Sequence, residues 1–334
     1  MKIKISNKWV GEKHPAFVIA EAGINHNGDL KIAKKLITEA KKANADSIKF
    51  QTFQASDLAS KKSKYYNLFK KLEFSDAEFT ELSHYAKSKD IIFLSTPFSL
   101  KAVDLLAKLR VPAFKIASGD LTNLPLIKYA ASKNKPMIIS TGMANMKEIN
   151  EAIKTIQNTK NNKIIVMHSV SGYPTPIDQV NLNIIKSMAE KIHYPIGYSD
   201  NGSDNLVPIV AVVLGAKIIE KHFTLNKKMN GPDHSMSCDP KELREIIINM
   251  RSAEKMLGTD EKSCQPSELI NKTMARRSII TLNDIPKNTI IDKNMVGIKR
   301  PATGIAPKFI DKIIGKKTKQ KIKAETPLRW SDIK

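Results

Sequence analysis

Two lysines, Lys49 and Lys115, sit inside otherwise apolar runs of this chain, and each is followed within three residues by hydroxyl or amide side chains. An unpaired ammonium is expensive to bury, so a lysine in such a place must be paired or functional. Two fixed cations with Thr96, Ser118, Gly119, Ser140 and Ser199 in register suit a small anion bearing phosphate and carboxylate groups. A Schiff-base lysine fits the same placement, which keeps an aldolase open. Glu220 and His222 stand two apart on a further run, so both side chains face one way if that run is a strand. His26 and His168 are further candidates, although Asn27-Gly28 reads equally well as a turn.

Something must bring these residues together. Eight short apolar runs, at 17–23, 45–52, 91–98, 113–120, 136–143, 163–171, 194–201 and 217–224, each end in a polar cluster. Most gaps between them hold one helix. Strand–helix units in this number predict a closed parallel (β/α)8 barrel, whose chemistry sits at the C-terminal ends of the strands. That rule selects Glu21, Lys49, Gln51, Thr96, Lys115, Ser118, Ser140, Tyr173, Ser199, Asn201, Glu220 and His222 for one mouth.

The helical gaps carry the expected periodicity. Residues 30–43 place Ile32, Leu36, Ile37 and Ala40 on one face, with lysines opposite; Ser75 is an N-cap ahead of Phe79, Leu82 and Tyr85; residues 147–159 and 240–257 behave alike. The basic, aromatic stretch 61–72 reads either as a loop over the mouth or as a helical extension packing Tyr65, Leu68 and Phe69. The first residues alternate apolar and charged side chains without the apolar centre of a secretory signal, and predict a β-hairpin that plugs the barrel bottom.

The barrel is expected to occupy 1–257, followed by a polar linker over 258–273 containing Gly and Pro, and a small β-rich module over 274–334. In that module IPKNT at 285–289 and IKAET at 322–326 resemble each other, which suggests an internal duplication.

The net charge of +22 comes from 55 basic and 33 acidic residues, yet only seven of the basic residues are arginine. Base and phosphate recognition favour the bidentate guanidinium, so dispersed lysines predict a solvated surface and no nucleic-acid partner. No apolar run is long enough to cross a membrane. Cys238 and Cys264 have neither disulfide nor zinc spacing, which fits a reducing cytoplasm.

The motifs EAGINHNG (21–28), KFQT (49–52), STPFS (95–99), KIASGD (115–120), STGM (140–143), YPTP (173–176), GYSDN (197–201), EKHFT (220–224), GPDH (231–234) and KRP (299–301) together resemble the sialic acid synthase family, in order along the chain. The resemblance implies a TIM barrel followed by an antifreeze-like (SAF) domain, and a transferase that condenses phosphoenolpyruvate with an open-chain N-acetylated hexose. The products are a nine-carbon 2-keto acid and phosphate, formed by C–O cleavage. It implies that Lys49, Thr96, Lys115, Ser118, Gly119, Ser140 and Ser199 hold phosphoenolpyruvate, while Glu21, Gln51, Tyr173 and Asp233 line the sugar side. Glu21 and Glu220 become candidates for moving protons or placing water. It also implies a domain-swapped homodimer in which Arg300 reaches the sugar in the partner's barrel.

By the same resemblance a divalent metal, Mn2+ or Mg2+, polarises the aldehyde. Family members often carry a histidine at the end of run seven and another at the end of run eight. Here the second is His222 and the first is Asn201, whose amide oxygen is also a hard donor. Ser171 stands where asparagine occurs in some sialic acid synthases, which suggests a different sugar. The bacterial synthases of N,N'-diacetyllegionaminic acid are the nearest in pattern, ahead of those using N-acetylmannosamine or the precursor of pseudaminic acid.

Overall fold

A computed structural model describes residues 1–334, which divide into two units, Met1–Gly258 and Thr259–Lys334. In the first, an antiparallel hairpin of β1 (Lys2–Ile5) and β2 (Lys8–Gly11) precedes eight parallel strands. These are β3 (Phe17–Gly23), β4 (Ser47–Thr52), β5 (Ile92–Pro97), β6 (Phe114–Ile116), β7 (Met137–Ser140), β8 (Ile164–Ser169), β9 (Ile196–Asp200) and β10 (Ile218–His222). All eight fall inside the eight apolar runs. The order β5-β4-β3-β10-β9-β8-β7-β6 is that of a (β/α)8 barrel, with β5 and β6 side by side at the closure.

Period-two alternation decides what the barrel holds. Phe17, Ile19, Leu94, Ala113, Ile138, Ile165, Met167 and Ile218 point inward as a lower apolar layer, and the hairpin adds Ile3, Ile5 and Val10 to the same cluster. The bottom is therefore closed by the chain's own first strands. One step higher on the same inward faces stand Glu21, Thr96, Lys115, Ser140, Ser169 and Glu220, where the lower layer has hydrocarbon. The charged layer thus rests on a packed floor.

Outside, helices cover each strand, and their starts are capped as their sequences dictate. Asp29 accepts from the amides of Lys31 and Ile32, while Ser75–Glu78, Asn145–Glu148 and Asp239–Glu242 form reciprocal capping boxes. The helix Leu30–Lys42 buries Ala33, Leu36, Ile37 and Ala40. Ile32, expected in that stripe, is only half-buried because Ala33 takes the core position. Residues Tyr66–Leu72 form a helix whose Leu72 packs with Ile24 and Phe53, joined by Phe69, whereas Tyr65 is exposed. Of the three side chains in the packed reading of 61–72 only Phe69 packs, because Leu68 is exposed like Tyr65.

Before it, the turn after β3 has Asn27 and Gly28 at φ of 54° and 74°. A Cβ on Gly28 would stand 2.3 Å from the Lys71 carbonyl oxygen, so glycine alone fits.

The second unit pairs β11 (Ser278–Thr281) with β12 (Val296–Lys299) around a core of Ile279, Ile291, Val296, Ile305, Ile313, Ile322, Leu328 and Ile333. The two similar pentapeptides face each other: Ile285 and Ile322 exchange backbone hydrogen bonds of 2.8 and 2.9 Å. A helix, Leu269–Ala275, occupies part of the stretch read as linker. No helix in the chain is long and apolar enough to cross a membrane.

Candidate active site

The C-terminal strand ends enclose a cavity of about 220 Å3. It is lined by Glu21 from β3, Lys49 and Gln51 from β4, Thr96 from β5, Lys115 from β6, Ser140 from β7, Ser199 from β9 and Glu220 and His222 from β10. Ser118, Tyr173, Asn201 and Asp233 complete the rim. Three further lining residues, Phe98, Ala117 and Ser169, were not anticipated. Ser169 was recoverable from its place at the end of run six; Phe98 and Ala117 offer no polar group to mark them.

Each lysine is held in place. Lys49 Nζ lies 2.7 Å from Glu21 Oε2 and donates to Thr96 Oγ1 at 2.8 Å. Lys115 Nζ donates to Ser140 Oγ at 2.6 Å. Glu220 Oε1 stands between them, 3.7 Å from Lys49 and 3.5 Å from Lys115, and accepts from Ser199 Oγ at 3.2 Å. Gln51 Nε2 approaches Glu21 Oε1 at 3.3 Å. Two cations and two carboxylates, all buried, therefore share one pocket, where electrostatic interactions are strong.

Their proton affinities separate. Burial pushes the Glu21 carboxyl up to about 7, against the pull of Lys49. Burial acts on Glu220 in the same sense, but Lys115 and Lys49 outweigh it and hold this carboxyl below its ordinary value. Burial opposes the Lys49 ammonium, and Glu21 and Glu220 more than compensate, raising it. Lys115 is lowered by burial despite Glu220. Burial also lowers His222, with Asp233 and Glu220 pulling the other way. One carboxyl that keeps its proton near neutrality beside one that does not is the usual arrangement of an acid and an anionic partner.

Two residues beyond Glu220 on β10, His222 Nδ1 is buried with no hydrogen-bond partner and lies 3.9 Å from Asp233 Oδ2. The Tyr173 ring meets the imidazole edge-on, with centroids 6.0 Å apart. Asn201 donates through Nδ2 to Ser169 Oγ and the Val170 carbonyl, which leaves Oδ1 as its free donor atom. No three His, Cys, Asp or Glu side chains are grouped closely enough to hold a metal by themselves. A neutral imidazole, an amide oxygen and a carboxylate on one wall are nonetheless a donor set that fits a hard divalent ion with water completing its shell.

Other candidates lie elsewhere. His26 stacks on Phe74 at 4.1 Å between centroids and is pushed down to about 3 by burial; its Nδ1 accepts from the Gly28 amide. His168 bonds the Val180 carbonyl at 2.9 Å, outside the cavity. Both are structural histidines. Gly119 sits in the turn Ser118–Asp120 but does not line the cavity, and a side chain there would meet nothing within 4 Å. Arg300 belongs to the second unit and is exposed just beyond β12. A larger groove of about 690 Å3 runs beside the hairpin at the barrel bottom, but its Lys8 and Arg251 are both taken by Asp46.

A model of the NeuB family matches residues 36–262, and one of the SAF domain matches 276–334. The chain belongs to the NeuB family. Among its relatives, the N,N'-diacetyllegionaminic acid synthase of Legionella pneumophila is 40% identical over 341 residues, 97% of this chain and 96% of that one. An uncharacterized protein of Methanocaldococcus jannaschii is 49% identical over 332 residues, 99% of this chain and 98% of the other. Among solved structures, the N-acetylneuraminic acid synthetase of Leptospira borgpetersenii, in complex with citrate, has a TM-score of 0.78 at 36% identity, covering 81% of this chain and 95% of that one. The NeuB-family barrel thus comes with its SAF domain in one chain.

Proposed function

We propose that this protein is a phosphoenolpyruvate-dependent nonulosonic acid synthase, acting in the cytoplasm on 2,4-diacetamido-2,4,6-trideoxymannopyranose in its open-chain form. The product is N,N'-diacetyllegionaminic acid. The observation that carries the reading is the convergence of Lys49 and Lys115 on one small cavity, with Glu220 between them and His222 two residues further along the same strand. The choice of sugar rests on the Legionella relative.

In this reading Lys49 and Lys115, with Thr96, Ser118, Ser140 and Ser199, hold the phosphate and carboxylate of phosphoenolpyruvate. C3 of the enol phosphate attacks the aldehyde carbon, and the aldehyde oxygen takes a proton from Glu21. Electron deficiency then develops at C2. Glu220, anionic between the lysines, stabilises it, orients the water that adds there and takes the proton that water loses. The tetrahedral phosphate hemiketal breaks the bond from C2 to the bridging phosphate oxygen, and the hydroxyl proton passes to the departing phosphate, leaving the 2-keto acid. Gln51, Tyr173 and Asp233 face the sugar.

His222 and Asn201 would hold a divalent ion, Mn2+ or Mg2+, which when bound supplies polarisation of the carbonyl. Arg300 would meet the sugar's acetamido group in the partner of a domain-swapped homodimer.

Incubating the protein with phosphoenolpyruvate and, in turn, N-acetylmannosamine and the two diacetamido sugars that lead to legionaminic and pseudaminic acid tests the assignment. The legionaminic precursor is expected to give the highest kcat/KM. Preference for either of the others would reassign the substrate, and no phosphate with any of them would remove the activity.

A further inference from the structure

Between the strands and the outer helices lies a layer of hydrocarbon, to which β9 and β10 contribute Ile196, Tyr198 and Ile219. Two charged residues interrupt it. Asp200 on β9 and Lys221 on β10 are paired in register and face each other across the ladder. Lys221 Nζ donates to Asp200 Oδ2 at 2.6 Å, and the two side chains are 1% and 0% exposed. Both also grip the next peptide units: Asp200 Oδ1 accepts from the Gly202 amide at 2.9 Å, and Lys221 donates to the Gly202 carbonyl at 2.6 Å.

Stability gives little reason for this pair. A buried ion pair is often replaceable by apolar side chains of similar volume without loss of stability. Its position gives a better one. Asp200 lies between Ser199 and Asn201, and Lys221 between Glu220 and His222, four residues that alternate to the cavity side. Gly202, held at both its N–H and its C=O, is the residue directly after Asn201.

Given the synthase reading above, we infer that Asp200 and Lys221 are positioning residues that set Asn201 and His222, from behind the strands, at the separation and angle the sugar side of the reaction needs. They touch neither substrate. The lysines that hold the enol phosphate stand on β4 and β6, strands that do not carry the pair.

The test is the double variant Asp200→Leu/Lys221→Met, which removes both charges and keeps the volume. It is expected to melt at or above the wild-type temperature, while kcat falls about 10- to 100-fold, the usual effect of losing an orienting partner. KM for phosphoenolpyruvate is expected to stay within about twofold. Wild-type kcat in the double variant would overturn the inference. If it does not fold, Asp200→Asn serves, and unchanged kcat there has the same consequence.

A crystal structure of the variant that folds reads the geometry without reference to turnover. Asn201 and His222 are expected to move by more than about 0.5 Å, a displacement that matters in a site of this kind; unmoved side chains would overturn the inference. If the wild type releases no phosphate with any of the three sugars, the synthase reading falls, and the positions of these two residues decide the inference by themselves.

Discussion

Lys49 Nζ and Glu21 Oε2 lie 2.7 Å apart with their side chains 3% and 2% exposed, an ion pair at the floor of the barrel mouth. Because the same carboxyl is pushed up to about 7 by burial, this contact ties the anion grip to a proton that leaves near neutral pH.

Glu21→Gln tests that link. If the protonated carboxyl serves the sugar oxygen, wild-type kcat falls as pH rises through about 7. The variant loses that limb together with about 100-fold or more of kcat, a typical share for general acid catalysis. Linkage runs the same way: between about pH 4.5 and 7 the folded chain keeps a proton that the unfolded chain has released. Wild type should therefore lose stability relative to Glu21→Gln as pH rises across that window. Superimposable pH–rate profiles would contradict the assignment.

Lys115→Met keeps the aliphatic stem and removes the charge. Loss of a buried ammonium from an anion site should raise KM for phosphoenolpyruvate by about 100-fold, with a smaller change in KM for the sugar. Titration calorimetry with phosphoenolpyruvate alone reads the same loss. Unchanged affinity would remove Lys115 from the anion site.

His222→Ala should abolish Mn2+-dependent turnover and leave the melting temperature nearly unchanged. Manganese binding followed by electron paramagnetic resonance should weaken by about 10-fold or more. Full activity of the wild type after exhaustive chelation would end the metal role.

Ile5→Ala probes the plug. Ile5 is wholly buried against the inner layer of the barrel, so the truncation should destabilise the protein by about 2–5 kcal/mol, measured by urea unfolding. The KM for phosphoenolpyruvate should hold, since the cavity is at the other end. A neutral effect on stability would mean that the hairpin is dispensable packing.

Much of this was legible from the residues. Alternation within each apolar run carried Glu21, Lys49, Thr96, Lys115, Ser140 and Glu220 to one end and one side, because period two and a parallel barrel leave no other outcome. Distances between strands remote in sequence were not legible. Nothing in the order of residues says that Glu220 of β10 lies 3.5 Å from Lys115 of β6. Histidine identity alone could not separate His222, facing the cavity, from His26 and His168, whose ring nitrogens are occupied by backbone groups. The Asp200–Lys221 pair escaped notice because a charged residue on the outward face of a strand looks, in sequence, like a surface residue. Only the covering helices make it buried.

The most direct test of the central claim is the fate of the bridging oxygen of phosphoenolpyruvate. With 18O between C2 and phosphorus and the diacetamido sugar as acceptor, the account predicts that the label leaves entirely in the released phosphate. Label retained in a keto acid would mean P–O cleavage, and Lys49, Lys115 and Glu220 would not be doing the chemistry assigned to them.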